Sequence, residues 1–453
     1  MNNRGNRYFR QYFCLYIKGV RDVKKQIVYI VSVIASVTLL VFSVSHLGTV
    51  SELMLPPETS GEYSEIIKAI EKKTGENIVL KTPQSLRGGS SVNIDDFNSD
   101  GTEDALVFYS VKGSSKVYIA FLTHGDRWMC SEPIEGEGSG VVKFDCEDMD
   151  LDGKKELTVG WSVPDIKDTN SLSVYSLHKG DYEYQIEKLT SLPFTDYIAA
   201  DVTGRGKCEL FVISNRYITA PKEAVKGTLY ELAENNLSEI CTSALNEKAR
   251  GYSAIRCDSI QDSHIIYIDS IISQKQNKIF TQALIYKSGK LVNLGYSSGK
   301  DLSSVSERNG VLKSEDIDED GLTEIPIPVE SYESGTQNLI SWVSYTSRGF
   351  ETVKQSYADF SNRFSFSFPE KWKGNVTVIK DSQQSSYGFY DIRRGKKLLF
   401  EIKVYSISDD ITDIKDGYKQ LFIDNGFAYG LKKTDKTNTL NISEDEIISC
   451  IKN

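Results

Sequence analysis

Catalytic signatures are scarce in this sequence. Its 453 residues hold four histidines, His46, His124, His178 and His264, and none forms the HExxH pair that sets two imidazoles on one helical face. No GxSxG, no GxxxxGKS/T and no GxGxxG in strand–helix context occurs, so nucleophile-elbow and phosphate-cradle chemistry have no carrier. Seven cysteines, Cys14, Cys130, Cys146, Cys208, Cys241, Cys257 and Cys450, include no CxxC, which excludes the usual zinc spacings. The pairs 130/146 and 241/257 share a spacing of 16 residues, so two disulfides are conceivable in an oxidising compartment. Small buried hydrophobes are the other reading. No catalytic residue can be named, and the chain is read as a non-enzyme.

Charge is missing altogether from residues 26–47, which contain no Lys, Arg, Asp or Glu. That run is long enough to span a bilayer. Residues 1–25 precede it with seven basic residues and one acid, +6, so the rest of the chain carries −16 of the net −10. The basic flank predicts a cytoplasmic tail over 1–25, a single transmembrane anchor over 26–47 and an extracytoplasmic bulk. The cell membrane is the expected location, and an acidic body disfavours nucleic acid as a partner. A cleaved leader would need a better small-x-small site than Ser43-Val44-Ser45.

The remainder is rich in 25 Tyr and 19 Phe, which fit pleated surfaces. Residues 48–89 read as a linker, marked by Pro56-Pro57 and Gly61, with a short helix over Tyr63–Lys73 that Gly75 stops. From about residue 90 a unit recurs. Acidic landmarks begin at Asp96, Asp148, Asp201, Asp258 and Asp316, at spacings of 52, 53, 57 and 58 residues. Each follows a short strand-like run, the last being Gly310-Val311-Leu312-Lys313, and precedes another. Two further strand candidates complete each unit, joined in the first two by the hairpin turns His124-Gly125-Asp126 and His178-Lys179-Gly180-Asp181. Four antiparallel strands per unit predict a mainly β chain: a β-propeller of about five four-stranded blades over 90–359. Residues 360–453 read as a small α+β domain, with a short helix near Asp413–Asn425.

Three of the landmarks match D-x-D/N-x-D-G-x-x-D/E. They are Asp96, Asn98, Asp100, Thr102 and Asp104; Asp148, Asp150, Asp152, Lys154 and Glu156; and Asp316, Asp318, Asp320, Leu322 and Glu324. Oxygens at positions one, three and five converge only if the chain turns sharply, and glycine at position six permits that turn. The carbonyl at position seven and the acid at nine would complete a shell of the size Ca2+ demands. Position twelve is Val107, Val159 or Ile327, so these are not EF-hands. About three calcium sites are expected. The Asp201 loop has Thr203 and Arg205 in the ladder, and the Asp258 unit has no glycine at its turn; no calcium is expected in either.

Strand–DxDxDGxxD/E–strand repeats resemble the integrin-type FG-GAP and VCBS repeats of β-propellers. The layout is similar to membrane-anchored or lipoprotein VCBS-repeat proteins of Gram-positive bacteria, from Leu55-Pro56-Pro57 through the three loops to Phe368-Pro369-Glu370-Lys371-Trp372. The resemblance implies calcium on the loop between the first two strands of a blade. The degenerate middle units and the lack of a cysteine after the apolar run depart from it. The expected function is a calcium-binding scaffold of the cell envelope, with a surface protein or glycan as partner. An extracellular hydrolase built on the propeller is the alternative.

Overall fold

Short runs of Val, Ile, Leu, Phe and Tyr make the strands, and their burial sets their order within each sheet. In the computed structural model, residues 61–84, 90–163, 170–214, 225–260, 263–297, 299–329, 338–360, 364–393, 395–407, 417–424, 426–434 and 438–452 are described. The basic tail and the expected anchor, residues 1–47, lie outside them. Among the described residues no helix is long and apolar enough to cross a membrane. Residues 66–453 form one unit, described below.

The expected helix is present as Gly61–Thr74, with Ile66 and Ile70 fully buried. It ends at Gly75, whose φ of 75° only glycine adopts readily. Four antiparallel sheets then follow in chain order. Sheet 1 has the main strands Val92–Asp95, Asp104–Val111, Tyr118–His124 and Trp128–Cys130, with Ile78–Leu80 and Ile134–Glu135 added at its margins. Sheet 2 has Gly140–Glu147, Glu156–Ser162, Asn170–Lys179 and Tyr184–Phe194. Sheet 3 has Asp196–Ala200, Glu209–Ser214, Lys226–Ala233 and Asn236–Ala244. Sheet 4 has Tyr252–Ile260, Ser263–Ser273, Lys278–Lys287 and Lys290–Asn293, and Arg308–Asn309 returns to pair with its third strand.

Second strands are buried on both faces, as in Asp104–Val111 and Glu209–Ser214, whereas the fourth strand Asn236–Ala244 is largely exposed. The alternation of strand side chains explains the double burial. Leu210 and Val212 face sheet 2, in a layer with Leu172, Val174 and Met149. Phe211 and Ile213 face sheet 4, in a layer with Ile266, Ile268 and Leu284. Sheets 1 and 2 share Phe108, Phe121, Val159 and Trp161. Sheet 4 presents Ile265 and Tyr267 to Ile325, Ile327 and Val343 of the next sheet. Consecutive sheets therefore pack face to face through separate apolar layers. The layers are tight: a Cβ on Gly227 would lie 2.4 Å from Phe211 Cζ. Gly227→Ala should cost about 1–3 kcal/mol by overpacking, read as a lower midpoint in denaturant.

Several expectations are corrected. Gly310–Lys313 is no strand; Arg308 is drawn into a buried pair with Asp269, and the chain turns at Asn309–Leu312. The third acidic loop is instead bracketed by a single bridge, Glu315 to Glu324. Asp258 lies within the strand Tyr252–Ile260, not in a loop. The boundary at 360 is crossed by sheet 5, which comprises Ile325–Val329, Leu339–Thr346, Gly349–Asp359, Phe364–Ser367 and the C-terminal Ile451–Lys452. Its Leu339 and Tyr357 share one core with Phe366, Trp372, Phe389 and Phe400.

Sheet 6 belongs to that core. Its strands are Val376–Asp381, Ser386–Asp391, Lys397–Ser406, Phe427–Lys433 and, at the edge, Lys419–Asp424. The helix expected near Asp413–Asn425 is, over 419–424, this edge strand. Among the described residues, the α-helix of the region is Glu444–Cys450, started by a capping box between Ser443 and Glu446. Finally, the six described cysteines are free thiols. Cys241 pairs across its sheet with Leu229, and Cys257 with Ile266, so the 16-residue spacing joins neither pair.

Candidate metal centre

The three matching loops share one backbone course, made by their own carboxylates. In each, both oxygens of the first aspartate accept backbone N–H groups from further along the loop. Asp96 accepts from Asp100 and Gly101 at 3.1 and 3.0 Å. Asp148 accepts from Leu151 and Gly153 at 2.7 and 3.0 Å. Asp316 accepts from Glu319, Asp320 and Gly321 at 2.7, 3.2 and 2.8 Å. Position six is left-handed at φ 86° in all three, as the glycine predicts. Position four is left-handed too, at Ser99, Leu151 and Glu319, with φ of 59°, 66° and 65°. Non-glycine residues pay for that conformation, so it persists where the surroundings dictate it. The sequence pattern gave no sign of this second twist.

Convergence differs among the loops. One carboxylate oxygen from each of Asp148, Asp150 and Asp152 lies within 4.8 Å of the others, and the same holds for Asp316, Asp318 and Asp320. The acid at position nine sits beneath each loop and is buried. Glu324 is fully buried; its Oε2 accepts from Ile317 N at 3.0 Å, but its Oε1 has no partner among the described residues. Glu156 accepts from Met149 N at 2.9 Å. Asp104 is satisfied on both oxygens by Asn98, at 3.2 Å from N and 3.0 Å from Nδ2. Burial, and then the neighbouring loop aspartates, push Asp104, Glu156 and Glu324 up to about 7. A bound cation would act in the opposite direction.

The residues fit a hard cation with oxygen ligands. Asp316, Asp318 and Asp320, the Leu322 carbonyl and the unpartnered Glu324 Oε1 supply the donor type that Ca2+ takes. In the second loop, Lys154 Nζ lies 3.2 Å from Asp152 Oδ2 and already offsets part of the charge. The first loop has an amide, Asn98, where the others have a third aspartate. Ligand charge tunes calcium affinity, so the Asp316 loop should bind tightest.

The Asp201 loop is an internal comparison. Its backbone is the same, with Gly204 and Gly206 both at φ 73° and Asp201 accepting from Gly204, Arg205 and Gly206. Here Arg205 NH2 donates to the buried Glu209 at 3.2 Å and to Glu231 at 3.1 Å, and Nε donates to Thr203 Oγ1. The position-nine acid is therefore paired by a protein cation, with Glu231 as a partner the sequence did not reveal. Arg205→Ala should cost about 1 kcal/mol. Arg205→Asp restores a carboxylate at position five, and calcium should raise the melting temperature of this variant further than that of the wild type.

Position eight ties the second and third acidic loops to the preceding sheet. Lys155 Nζ pairs with Asp95 at 2.6 Å, at the end of the first strand of sheet 1. Thr323 donates from N and Oγ1 to Asp258, at 2.5 and 3.0 Å, near the end of the first strand of sheet 4. Such contacts between units have no local sequence signal.

No family model matches the chain, and no curated protein matches it. Among solved structures it is similar to the β-propeller domain of the trilobed protease from Pyrococcus furiosus, at 10% identity over 76% of this chain and 92% of that one, TM-score 0.31. It is also similar to Sqt1 of Chaetomium thermophilum, at 8% identity over 69% and 73%, TM-score 0.33. A third is an exo-β-1,3-galactanase from Clostridium thermocellum, at 12% identity over 80% and 98%, TM-score 0.30. These are distant likenesses, and the fold described above rests on the chain's own hydrogen bonding.

Proposed function

We propose that this chain is a membrane-anchored, extracytoplasmic β-propeller of the FG-GAP/VCBS type. It holds calcium on loops starting at Asp96, Asp148 and Asp316 and acts as a non-enzymatic binding or scaffold protein of the cell envelope. The observation that carries the metal reading is Glu324 Oε1, a fully buried carboxylate oxygen without a partner among the described residues, beneath three convergent aspartates. Burying such an oxygen unmatched is costly, and a cation in the loop removes the cost. The Asp201 loop adds support, because Arg205 serves the equivalent acid. Consecutive antiparallel sheets, each built on four main strands and packed face to face, support the propeller. The uncharged run 26–47 behind a basic flank supports the anchor.

Calcium here is a structural ligand. It neutralises carboxylates that repel one another, holds each loop against the strand that follows it, and at the second and third loops steadies the preceding sheet through position eight. Equilibrium calcium titration of the extracytoplasmic portion tests this. The expected result is up to three sites, the tightest of which disappears in Glu324→Gln. Equal titration by the wild type and Glu324→Gln would overturn the assignment of that site.

A further inference from the structure

The two hairpin turns that the sequence repeats, 124–127 and 178–183, enclose a cleft at the outer edge of sheets 1 and 2. Its two parts have volumes of about 630 and about 210 Å³. Asp100 and Thr102, at the tip of the first acidic loop, close one end. Tyr184 forms the floor, held edge-on to Phe121 with ring centroids 5.6 Å apart. Tyr182 stands at the rim and is 98% exposed, and Met129 beside it is 54% exposed. Asp126, Arg127 and Lys179 line the walls.

We infer that this cleft binds a neutral glycan. The inference rests on the reading of the body as a binding protein and names its ligand class. A fully presented tyrosine ring gains nothing from folding, and tyrosine is a favoured anchor residue at binding sites. The apolar face of a pyranose ring can lie on such a ring while its hydroxyls both donate and accept. The walls offer both kinds of partner, Asp126 as an acceptor and Arg127 and Lys179 as donors. Glu183 is already spent on Lys73 at 2.8 Å. A polyanion would meet Asp100, Asp126 and Asp181, and a basic peptide would meet Arg127 and Lys179. An apolar protein partner would need a continuous apolar patch, whereas Tyr182 and Met129 share this cleft with charged side chains.

The test is a titration of the extracytoplasmic portion with soluble oligosaccharides of cellulose, starch, xylan and chitin, alongside a sulfated polysaccharide and a basic peptide. At least one neutral oligosaccharide should bind saturably. Tyr182→Ala should weaken it by about tenfold or more, and Tyr182→Trp should stay within about threefold of wild type. All three proteins should melt alike, since the ring makes no packing contact worth losing. The inference is overturned if no neutral oligosaccharide binds, if Tyr182→Ala binds as wild type does, or if only the polyanion or the peptide depends on Tyr182. The same preparations melted with and without calcium separate the two readings. A calcium-dependent transition without glycan binding removes the cleft alone, and glycan binding without calcium dependence removes the metal alone.

Discussion

Calcium added to chelator-treated protein should raise its melting temperature by at least about 5 °C. A ligand at a hundredfold excess over its Kd adds about 2.7 kcal/mol per site, and a domain of this size shifts by about 2 °C per kcal/mol. The gain should be largest at the Asp316 loop, where four carboxylates, Asp316, Asp318, Asp320 and Glu324, sit without a lysine among positions one to nine. Asp316→Asn or Glu324→Gln should therefore remove a larger share of the shift than Asp96→Asn. Magnesium should substitute poorly, because it demands a smaller, near-octahedral shell. The same melting temperature with calcium and with chelator would contradict the structural role of the ion.

Breaking the Asp269–Arg308 pair should cost about 3–5 kcal/mol for either single replacement, because it strands a buried charge. Both side chains are 1% exposed and lie 2.9 Å apart. All five guanidinium hydrogens have acceptors: Arg308 donates to Asp269, Ser314 Oγ, Thr281 Oγ1, and the Ser306 and Leu312 carbonyls. Asp269 in turn accepts from Ser314 N at 2.8 Å, two residues before the third acidic loop. Arg308→Met should thus lower the unfolding midpoint and also weaken calcium at the Asp316 loop. The double variant Asp269→Leu with Arg308→Met should lose less than the sum, since neither charge is then stranded.

The pH dependence follows with its sign. Burial pushes Asp269 up, but Arg308 and the hydroxyl and amide donors outweigh it and hold the carboxyl below its ordinary value. The contribution of Asp269 is thus complete above the ordinary aspartate pKa of about 3.9 and is lost as pH falls through the folded value. Acid unfolding of Asp269→Asn should be shallower than that of wild type.

These residues also mark how far the sequence could be read. The acidic loops were legible because five residues must stand at fixed spacing, and three copies did so. Arg205 was legible as a cation in a carboxylate's place, although it meets Glu209 and Glu231 and only its backbone N–H reaches the Asp201 carboxylate. The turn at Gly310–Lys313 was hidden, because its cause is a pair 39 residues apart in the chain. Phe364–Ser367 alternates aromatic and polar residues as a strand should, but its place beside Gly349–Asp359 and Ile451–Lys452 is a long-range choice that alternation does not encode. The helix expected over 413–425 gave way at 419–424 to a strand paired with Phe427–Lys433, and Asn425-Gly426 was the hairpin signal that could have shown it.

The most direct test of the central claim is a crystal structure of the calcium-soaked protein with anomalous scattering recorded. Peaks are predicted in the loops starting at Asp96, Asp148 and Asp316, with Glu324 Oε1 about 2.3–2.6 Å from the ion, and none at Asp201, where Arg205 holds the place. An Asp316 loop without a peak, its Glu324 oxygen bonded to a protein donor, would contradict the account.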